Sequence, residues 1–191
     1  MAGSPALIWA ISAEQPDLLA RARVALEAGL DRLLIREAVL PDLTALEALI
    51  GDFPGRVVLH ARGWDPQRAR DLGAGLHLPS DAGPAGVAGP WGRSCHSPAE
   101  VRAAFAAGAN WAFLSPIFRP ISKPGDERQP LGLEALEGMG AVALGGITAE
   151  NAGSCLAHGA VGVATMSHIL SDPDPAAGVT RWRARLATYQ K

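Results

Sequence analysis

The sequence predicts an α/β protein whose fold is a minimal (β/α)8 TIM barrel, and three observations favour this fold. Short apolar runs alternate with helical patterns along the chain, and eight such runs can be counted. Their length and apolarity are typical of parallel strands that are buried on both faces. No glycine-rich fingerprint follows the first run, at Ile11-Ser12-Ala13-Glu14, although a doubly wound open sheet would be expected to carry one there. Such barrels usually need about 250 residues and at the least about 200, so a chain of 191 residues would form a small one.

The predicted strands are short, and several are almost wholly apolar, as in Leu33-Leu34-Ile35 and Val57-Val58-Leu59. Parallel neighbours need a crossover connection, which the helical stretches between the runs can supply. In chain order the predicted strands are Ala6–Ser12, Arg32–Glu37, Arg56–Ala61, Gly75–Leu78, Gly92–His96, Trp111–Ser115, Ala141–Ile147 and Val161–Met166.

The helical stretches carry their own start and stop signals. Pro16–Ala28 has apolar side chains at helical spacing. Ser97-Pro98-Ala99-Glu100 is a capping box with proline at the first helical position, and Asp65 and Thr148 are two further candidate N-caps. Four glycines, each between a helical stretch and a strand, can end the helices in the left-handed conformation. They are Gly29, Gly73, Gly108 and Gly159.

Composition and charge exclude several classes of protein. The chain is 48% hydrophobic and 19% charged with a net charge of -2, which is typical of a globular protein and lacks the basic footprint of a nucleic-acid binder. No apolar run reaches the roughly 18 residues of a membrane span, and Met1–Ala6 shows no secretion signal. Cys95 and Cys155 lack metal-ligand spacing. We therefore expect one cytoplasmic domain over residues 1–191, and the sequence leaves its oligomeric state open, a homo-oligomer included.

The clearest candidate site is an anion site after the seventh and eighth strands, where barrels of this kind commonly hold phosphate. Gly145-Gly146 lies between a buried strand and a helix, so bare backbone amides and a helix N-terminus can meet an anion there. Ser167, expected at the start of the last helix, can supply the other half of the site. The alternative is a tight turn that needs positive φ. If phosphate binds here, Gly146→Asp should abolish ligand binding and leave the melting temperature within a few degrees.

Other strand ends carry polar side chains of several kinds. His60 and His96 fall near strand ends and His77 falls earlier, although a histidine on a strand is more often a hydrogen-bonded core residue than a catalyst. Arg36-Glu37 is either a binding pair at the barrel mouth or a structural ion pair. These alternatives stay open at the level of sequence.

The connection from Pro116 to Pro130 is long, since βα loops usually have about 2–6 residues. It holds Ser122 and Lys123, and Lys123 is one of only two lysines among the 17 Lys and Arg residues. The loop is either a lid that carries positive charge to an anionic substrate or a solvated excursion.

Six segments carry a resemblance to a known family: Ile35-Arg36-Glu37, His77-Leu78-Pro79-Ser80, Gly92-Arg93-Ser94-Cys95-His96-Ser97, Ser115-Pro116-Ile117-Phe118, Leu144-Gly145-Gly146-Ile147-Thr148 and Gly162-Val163-Ala164. They occur in the order seen in the thiamine phosphate synthase/TenI superfamily, which the chain resembles over nearly its whole length and most specifically from the fifth strand onward. The resemblance implies a small (β/α)8 barrel whose partner is the small phosphorylated thiazole of thiamine biosynthesis. It implies phosphate binding at Gly145, Gly146, Met166 and Ser167, and substrate binding at Arg36, Glu37, Arg62, Ser115, Ser122 and Lys123.

The superfamily has two main branches, and departures from the synthase pattern separate them. The synthase joins a pyrimidine diphosphate to thiazole phosphate with Mg²⁺. Leu34 and Ala38 stand where it has a diphosphate-binding glutamine and lysine, and His60-Ala61 stands where it has Asn-Asp, whose aspartate is a magnesium ligand. Of its clamp only Ser122-Lys123 remains, and Asp81 would be the surviving metal ligand. A diphosphate leaving group without metal and clamp would keep most of its negative charge uncompensated.

The other branch contains TenI, and this chain resembles that branch. TenI is a thiazole tautomerase that aromatises thiazole carboxylate phosphate by proton transfer and needs no metal or other cofactor. The predicted function is therefore a TenI-like isomerase. The alternatives are a diverged Mg²⁺-dependent synthase and a non-catalytic thiazole-phosphate-binding or regulatory protein. The catalytic histidine of TenI falls at Pro116, and proline can neither give nor take a proton. His60 is the first candidate for the proton-transfer group in its place, and His96 is the second.

Overall fold

The strands close into a barrel in the computed structural model, which describes residues 6–13, 17–37, 42–84, 86–119 and 129–189. Each strand pairs in parallel with the next one in the chain, and the eighth pairs in parallel with the first. The predicted (β/α)8 TIM barrel is thereby confirmed. The strands are β1 (Leu7–Ile11), β2 (Arg32–Ile35), β3 (Val57–His60), β4 (Gly75–Leu78), β5 (Trp91–Cys95), β6 (Trp111–Leu114), β7 (Val142–Ala143) and β8 (Gly162–Thr165).

The α-helices of the described residues follow most of the strands, and a 3₁₀ helix, Leu133–Leu136, lies between β6 and β7. Residues 79–84 and 86–90, which connect β4 to β5, contain no helix, as their content of proline and glycine predicts. Within the described ranges, no helix is both long enough and apolar enough to cross a membrane. The α-helices are α1 (Leu18–Glu27), α2 (Leu43–Asp52), α3 (Pro66–Asp71), α4 (Pro98–Ala106), α5 (Ala152–Ala157) and α6 (Pro175–Ala187).

Two of the three predicted N-caps are confirmed. The Ser97 side chain accepts a hydrogen bond from the Glu100 amide at 3.2 Å, and Asp65 accepts one from the Arg68 amide at 3.0 Å. The prediction for Thr148 is wrong, because α5 begins at Ala152. Thr148 instead donates its amide proton to Asn151 Oδ1 at 2.8 Å, which forms a turn ahead of the helix.

The four glycines predicted to end helices all do so. Their φ angles are 100°, 75°, 92° and 92° in chain order, and the residue after each glycine donates its amide proton back into the helix or turn. Leu30 donates to the Ala25 carbonyl at 2.9 Å, and Ala160 donates to the Cys155 carbonyl at 3.1 Å. These bonds satisfy carbonyl groups that the end of a helix leaves without partners.

The barrel interior has its own apolar cluster, separate from the larger one between sheet and helices. It contains Trp9, Ile11, Leu34, Val58, Phe113, Val142 and Ala164, with Trp111 packed against it. Trp9 packs edge-on against Phe113, with ring centroids 5.0 Å apart, and its ring lies 5.5 Å from that of Trp111. The interior is therefore a packed core below the mouth of the barrel.

The strand register explains how the Trp111 indole fits inside. His77, Gly92 and Trp111 lie side by side across β4, β5 and β6. A Cβ atom on Gly92 would collide with the Trp111 ring, so the absence of a side chain on the middle strand admits the indole.

We therefore expect Gly92→Ala to lower the free energy of unfolding by about 3 kcal/mol, since an added methyl group overpacks the interior. Urea titration followed by circular dichroism would measure the change. Gly51→Ala is the matched control, because a Cβ atom at Gly51 in α2 meets nothing within 4 Å and should stabilise the helix by about 0.5–1 kcal/mol. Equal unfolding midpoints for Gly92→Ala and the unaltered protein would contradict the assigned packing.

Candidate active site

The carboxyl ends of the strands surround a cavity of about 600 Å³. Side chains of the interior cluster form part of its wall, and polar side chains from several strand ends lie above them. Its positively charged side chains are Arg36 and Arg62, and no aspartate or glutamate is found among the described residues that line it. The lining also includes His60, His77, Pro79, Ser80, Ser94, His96, Ser115, Pro116, Gly145, Gly146, Thr148, Thr165, Met166, Ser167 and His168.

The glycine pair after β7 packs closely against the segment that follows β6. Gly145 and Gly146 have φ angles of 91° and 65°. A Cβ atom on Gly145 would lie 2.7 Å from Pro116 Cα, and one on Gly146 would lie 2.7 Å from the Arg119 carbonyl oxygen. Both positions therefore require glycine for structural reasons, as the tight turn considered in the sequence analysis would. The two glycines also line the cavity.

This packing changes one expectation from the sequence. A side chain at Gly146 would both require a left-handed backbone and collide with the β6 connection, so Gly146→Asp should destabilise the fold rather than leave the melting temperature within a few degrees. The substitution cannot separate ligand binding from folding.

The structure brings all four predicted phosphate-binding residues, Gly145, Gly146, Met166 and Ser167, to one cavity. The expectation that Ser167 starts the last helix is wrong, because α6 begins at Pro175, where Asp174 accepts hydrogen bonds from the amides of Ala176 and Ala177. Ser167 lies in an irregular segment between β8 and α6. An anion held here would meet backbone amides and hydroxyl groups of two turns rather than the first turn of α6.

The side chains of Arg36 and Glu37 have different surroundings. Arg36 lines the cavity, and its guanidinium lies 3.5 Å from the Met166 sulfur, which places a positive charge beside the predicted phosphate residues. Glu37 is not among the lining residues. One of its carboxylate oxygens accepts hydrogen bonds from the Ser12 hydroxyl and the Arg36 amide, and the other is buried without a partner. Glu37 therefore joins the ends of β1 and β2, and predicted substrate contact by its carboxylate has no support from this position.

His60 lies at the end of β3 with 8% of its surface exposed. Its Nδ1 accepts a hydrogen bond from the Arg62 amide at 3.2 Å, so the proton of the neutral ring is on Nε2. Burial, followed by the charges of Arg36 and Arg62 and opposed by Asp81, lowers the pKa of His60 from 6.5 to about 4. His60 is therefore a neutral hydrogen-bond donor near pH 7.

His77 is fully buried beside its register partner His60, with ring centroids 5.9 Å apart. Its Nδ1 accepts from the Trp111 indole N–H at 3.0 Å, and its Nε2 lies 2.9 Å from the Ser94 hydroxyl. Burial, with smaller effects of His60 and Arg36, lowers the pKa of His77 to about 3. His77 is thus a hydrogen-bonded core histidine, the more frequent case for a histidine on a strand.

His96 follows β5 and also lines the cavity. Its Nδ1 lies 2.8 Å from the Ser115 carbonyl oxygen, and a carbonyl can only accept, so Nδ1 carries a proton. In the neutral ring the lone pair is therefore on Nε2. His60 and His96 thus present opposite tautomers at one cavity.

Residues Ser122 and Lys123, predicted to contact the substrate, lie outside the described residues. Ser115 and Arg62, for which substrate binding stays a prediction, line the cavity, and the Ser115–Pro116 peptide bond is cis. Sequence reasoning assigned no ligand-binding role to five further polar lining residues, although each lies at or near a strand end, where barrel sites are built. These are Ser80, Ser94, Thr148, Thr165 and His168.

The described lining residues do not fit a magnesium ion, which prefers carboxylate and other oxygen ligands. Asp81 pairs with Arg62 at 3.5 Å, and both side chains are exposed. Glu37 is not among the residues that line the cavity. No group of three or more His, Cys, Asp and Glu side chains in the described ranges is arranged to hold a metal.

The fold and the cavity define a small (β/α)8-barrel protein whose mouth is lined by arginine, histidine and serine. The chain belongs to the thiamine monophosphate synthase family, whose profile matches residues 7–169. It is 35% identical over 179 residues to a putative thiamine-phosphate synthase of Geobacter sulfurreducens, covering 83% of this chain and 82% of that protein. It is 31% identical over 180 residues to the thiamine-phosphate synthase of Moorella thermoacetica, covering 78% and 85%.

A solved structure with the same fold is the thiamine phosphate pyrophosphorylase from Pyrococcus furiosus. It superposes with a TM-score of 0.79 over 97% of both chains at 21% sequence identity. The family assignment confirms the predicted resemblance at the level of the superfamily, and the names of the relatives favour the synthase branch over TenI.

The lowered pKa values of His60 and His77 predict that stability depends on pH. The unfolded chain binds protons at both histidines below pH 6.5, whereas the folded protein does so only near 4 and 3. The free energy of unfolding should therefore be highest above pH 6.5 and fall as the pH is lowered toward 4.

Urea unfolding between pH 7.5 and 4.5 would measure this slope, and His60→Gln should make it shallower. NMR titration of the imidazole signals is an independent check. Midpoints near 6.5 for both buried rings would contradict the assignment.

Proposed function

We propose that this chain binds a phosphorylated thiazole in the cavity at the barrel mouth and acts on it as a TenI-like isomerase. The observation that carries the proposal is the composition of the cavity wall. Its described residues supply two arginines and several histidines and serines but no carboxylate, which suits an anionic ligand and proton transfer better than metal-assisted loss of diphosphate.

The phosphate end of the ligand would lie between the turns after β7 and β8. Amide groups of Gly145 and Gly146 and the Ser167 hydroxyl can donate hydrogen bonds to phosphate oxygens. Arg36, beside Met166, adds a positive charge on the same side. This placement agrees with the region where other barrels of this architecture hold phosphate.

The reacting ring would lie over the part of the cavity lined by His60 and His96. Aromatisation of a thiazole tautomer requires that a proton leave one carbon and that a proton be returned elsewhere in the conjugated system. The base that removes the proton becomes, once protonated, the acid that returns it, so the step is balanced without any other reactant. His96 Nε2 has the lone pair to accept a proton, because its Nδ1 proton is held by the Ser115 carbonyl. The Ser115 carbonyl also stabilises the imidazolium that forms, as an acceptor for Nδ1–H.

His60 complements this role as a donor. Its Nε2 carries the proton because Nδ1 accepts from the Arg62 amide, and its low pKa keeps the ring neutral. A neutral N–H can hydrogen-bond to the charge that develops on the ring or its substituent when the proton leaves. We therefore assign His96 as the base and His60 as the donor, which reverses the order of candidates taken from the sequence.

Thiamine phosphate synthesis is the second candidate, and the names of the relatives favour it. The described residues that line the cavity do not fit the magnesium ion that the synthase branch uses, so we derive no step through a metal. The two candidates share the phosphorylated thiazole and differ in the reaction.

One experiment separates the candidates. Purified protein is incubated with the non-aromatic tautomer of thiazole carboxylate phosphate, and the tautomer ratio is followed by NMR. In parallel it is incubated with pyrimidine diphosphate, thiazole phosphate and Mg²⁺, and thiamine phosphate is measured. Accelerated aromatisation without product in the second assay supports the isomerase, and thiamine phosphate formation overturns it. Binding without either reaction would favour the regulatory protein.

His96→Gln should lower the rate of aromatisation by about 100-fold or more, since a positioned base contributes about 10²–10⁴-fold. The same NMR assay measures the rate. His158→Gln is the matched control, because His158 ends α5 and bonds to the Ser154 carbonyl away from the cavity. A rate within twofold of the unaltered protein for His96→Gln would move the base elsewhere.

His60 should respond differently to two replacements. His60→Gln keeps an N–H donor and should retain more activity than His60→Leu, which removes it and should cost about tenfold or more. Equal losses in kcat for both variants would show that His60 does not act as a hydrogen-bond donor.

The phosphate site is tested by adding negative charge at Ser167. Ser167→Asp should weaken thiazole phosphate binding by about tenfold or more, because the carboxylate repels the phosphate at short range. Thr180→Asp is the matched control on the exposed face of α6. Isothermal titration calorimetry measures both, and unchanged affinity for Ser167→Asp would remove Ser167 from the site.

A further inference from the structure

A row of three residues links the barrel interior to the cavity. His77, Gly92 and Trp111 are register partners on adjacent strands. Because Gly92 has no side chain, the Trp111 indole crosses β5 and reaches His77, where its Nε1 lies 3.0 Å from Nδ1. Two residues further along β5, the Ser94 hydroxyl lies 2.9 Å from His77 Nε2.

The direction of these hydrogen bonds follows from the chemistry of the groups. An indole N–H can only donate, so His77 Nδ1 must hold a lone pair and the ring must be neutral. The proton of the ring is then on Nε2, which donates to the Ser94 oxygen. The Ser94 oxygen has become an acceptor toward His77, and its own proton must go elsewhere.

The Ser94 hydroxyl group is placed to donate its proton toward the cavity. Ser94 lines the cavity, and among the described residues no other hydrogen bond of its side chain is found. A hydroxyl that already accepts from a histidine is polarised toward donating its own proton. A ligand atom with a lone pair would complete the chain.

We infer that Trp111 is a positioning residue, which fixes the tautomer of His77 and thereby makes Ser94 a hydrogen-bond donor to an acceptor atom at the ring end of the ligand. The inference rests on the proposed function in one respect, that the ligand is a phosphorylated azole. Its ring nitrogen, or a carboxylate on the ring, is the acceptor, and its phosphate lies at the other end, near β7 and β8.

The first test reads the tautomer in the ligand-free protein. In ¹⁵N-labelled protein the His77 ring should show a protonated Nε2 and a lone pair on Nδ1, since these nitrogens have widely separated chemical shifts. Trp111→Phe removes the indole donor, so the Nδ1 signal should move toward the protonated position. Trp91→Phe is the control, because Trp91 packs in the outer core cluster and its loss should leave the His77 signals unchanged.

The second test reads ligand binding by calorimetry with three probes: thiazole phosphate, thiazole carboxylate phosphate and inorganic phosphate. Ser94→Ala should weaken binding of a ring-bearing probe by about threefold to tenfold, the effect of one hydrogen bond. It should leave the affinity for inorganic phosphate unchanged. A larger loss with the carboxylate probe identifies the carboxylate as the acceptor, and an equal loss with both identifies the ring nitrogen.

A double-mutant cycle then tests whether Trp111 acts through Ser94. Trp111→Phe should weaken ring-probe binding when Ser94 is present and have no further effect in the Ser94→Ala background. A purely structural role of Trp111 would give additive losses in the cycle, which would overturn the inference. So would a protonated Nδ1 on His77 in the unaltered protein, or His77 signals that Trp111→Phe leaves in place.

Failure of the proposed function gives a different result. If the unaltered protein binds inorganic phosphate as tightly as both thiazole probes, the ligand is not a phosphorylated thiazole. Ser94 then has no azole ring to which it can donate a hydrogen bond. In that case the proposed function and the ligand part of this inference fall together, whereas the tautomer measured without ligand still decides the part that concerns Trp111 and His77.

Discussion

The Trp111 indole inside the barrel is the contact on which both the core and the site depend. It crosses the bare backbone at Gly92, packs against Trp9 and donates its N–H to His77. The same side chain therefore fills the interior and gives the buried Nδ1 of His77 its hydrogen-bond partner. An unpaired donor or acceptor at such depth would cost about 1–3 kcal/mol. Trp111 thus contacts both the apolar interior cluster and His77, the polar residue at which the cavity wall begins.

Arginine side chains form hydrogen bonds and ion pairs that connect different elements around the barrel. Arg183 donates to the carbonyls of Ala6 and Gly29 at 3.1 and 2.9 Å and pairs with Asp31, and Arg56 donates to the Leu26 carbonyl at 2.7 Å. The planar guanidinium has several donors in fixed positions and can hold several acceptors at once, which an ammonium does less well. The high ratio of arginine to lysine in the sequence therefore has a structural use in this chain, whatever its origin. At the mouth, Arg36 and Arg62 supply the positively charged side chains of the described cavity wall.

The family and the cavity point to different reactions within one pathway. Relatives that are 31–35% identical are named thiamine-phosphate synthases, whereas the described cavity wall lacks the carboxylates that a magnesium ion would need. The two statements are compatible if the phosphate-binding half of the barrel was retained while the half that serves the diphosphate changed. Two departures from the synthase pattern belong to the half that serves the diphosphate. Ala38 stands where the synthase has lysine, and His60 stands where it has asparagine. The opposite tautomers of His60 and His96 are the physical basis of the proton transfer that we propose.

The sequence by itself determined the local features: eight strand positions to within a few residues, the helix ends at four glycines, the caps at Ser97 and Asp65, and the family. Each depends on neighbours in the chain, whose propensities and hydrogen bonds are visible in the letters. It could also place most candidate residues at one face, because strand ends of a barrel meet there. Only the tertiary structure decided that Glu37 is not among the residues lining the cavity, that the glycine pair packs against the β6 connection, and which nitrogen carries the proton in three of the cavity histidines. Those outcomes depend on atoms from other strands, such as the Trp111 indole beside His77 and the Ser115 carbonyl beside His96, and no local pattern encodes which group the fold brings within hydrogen-bond distance.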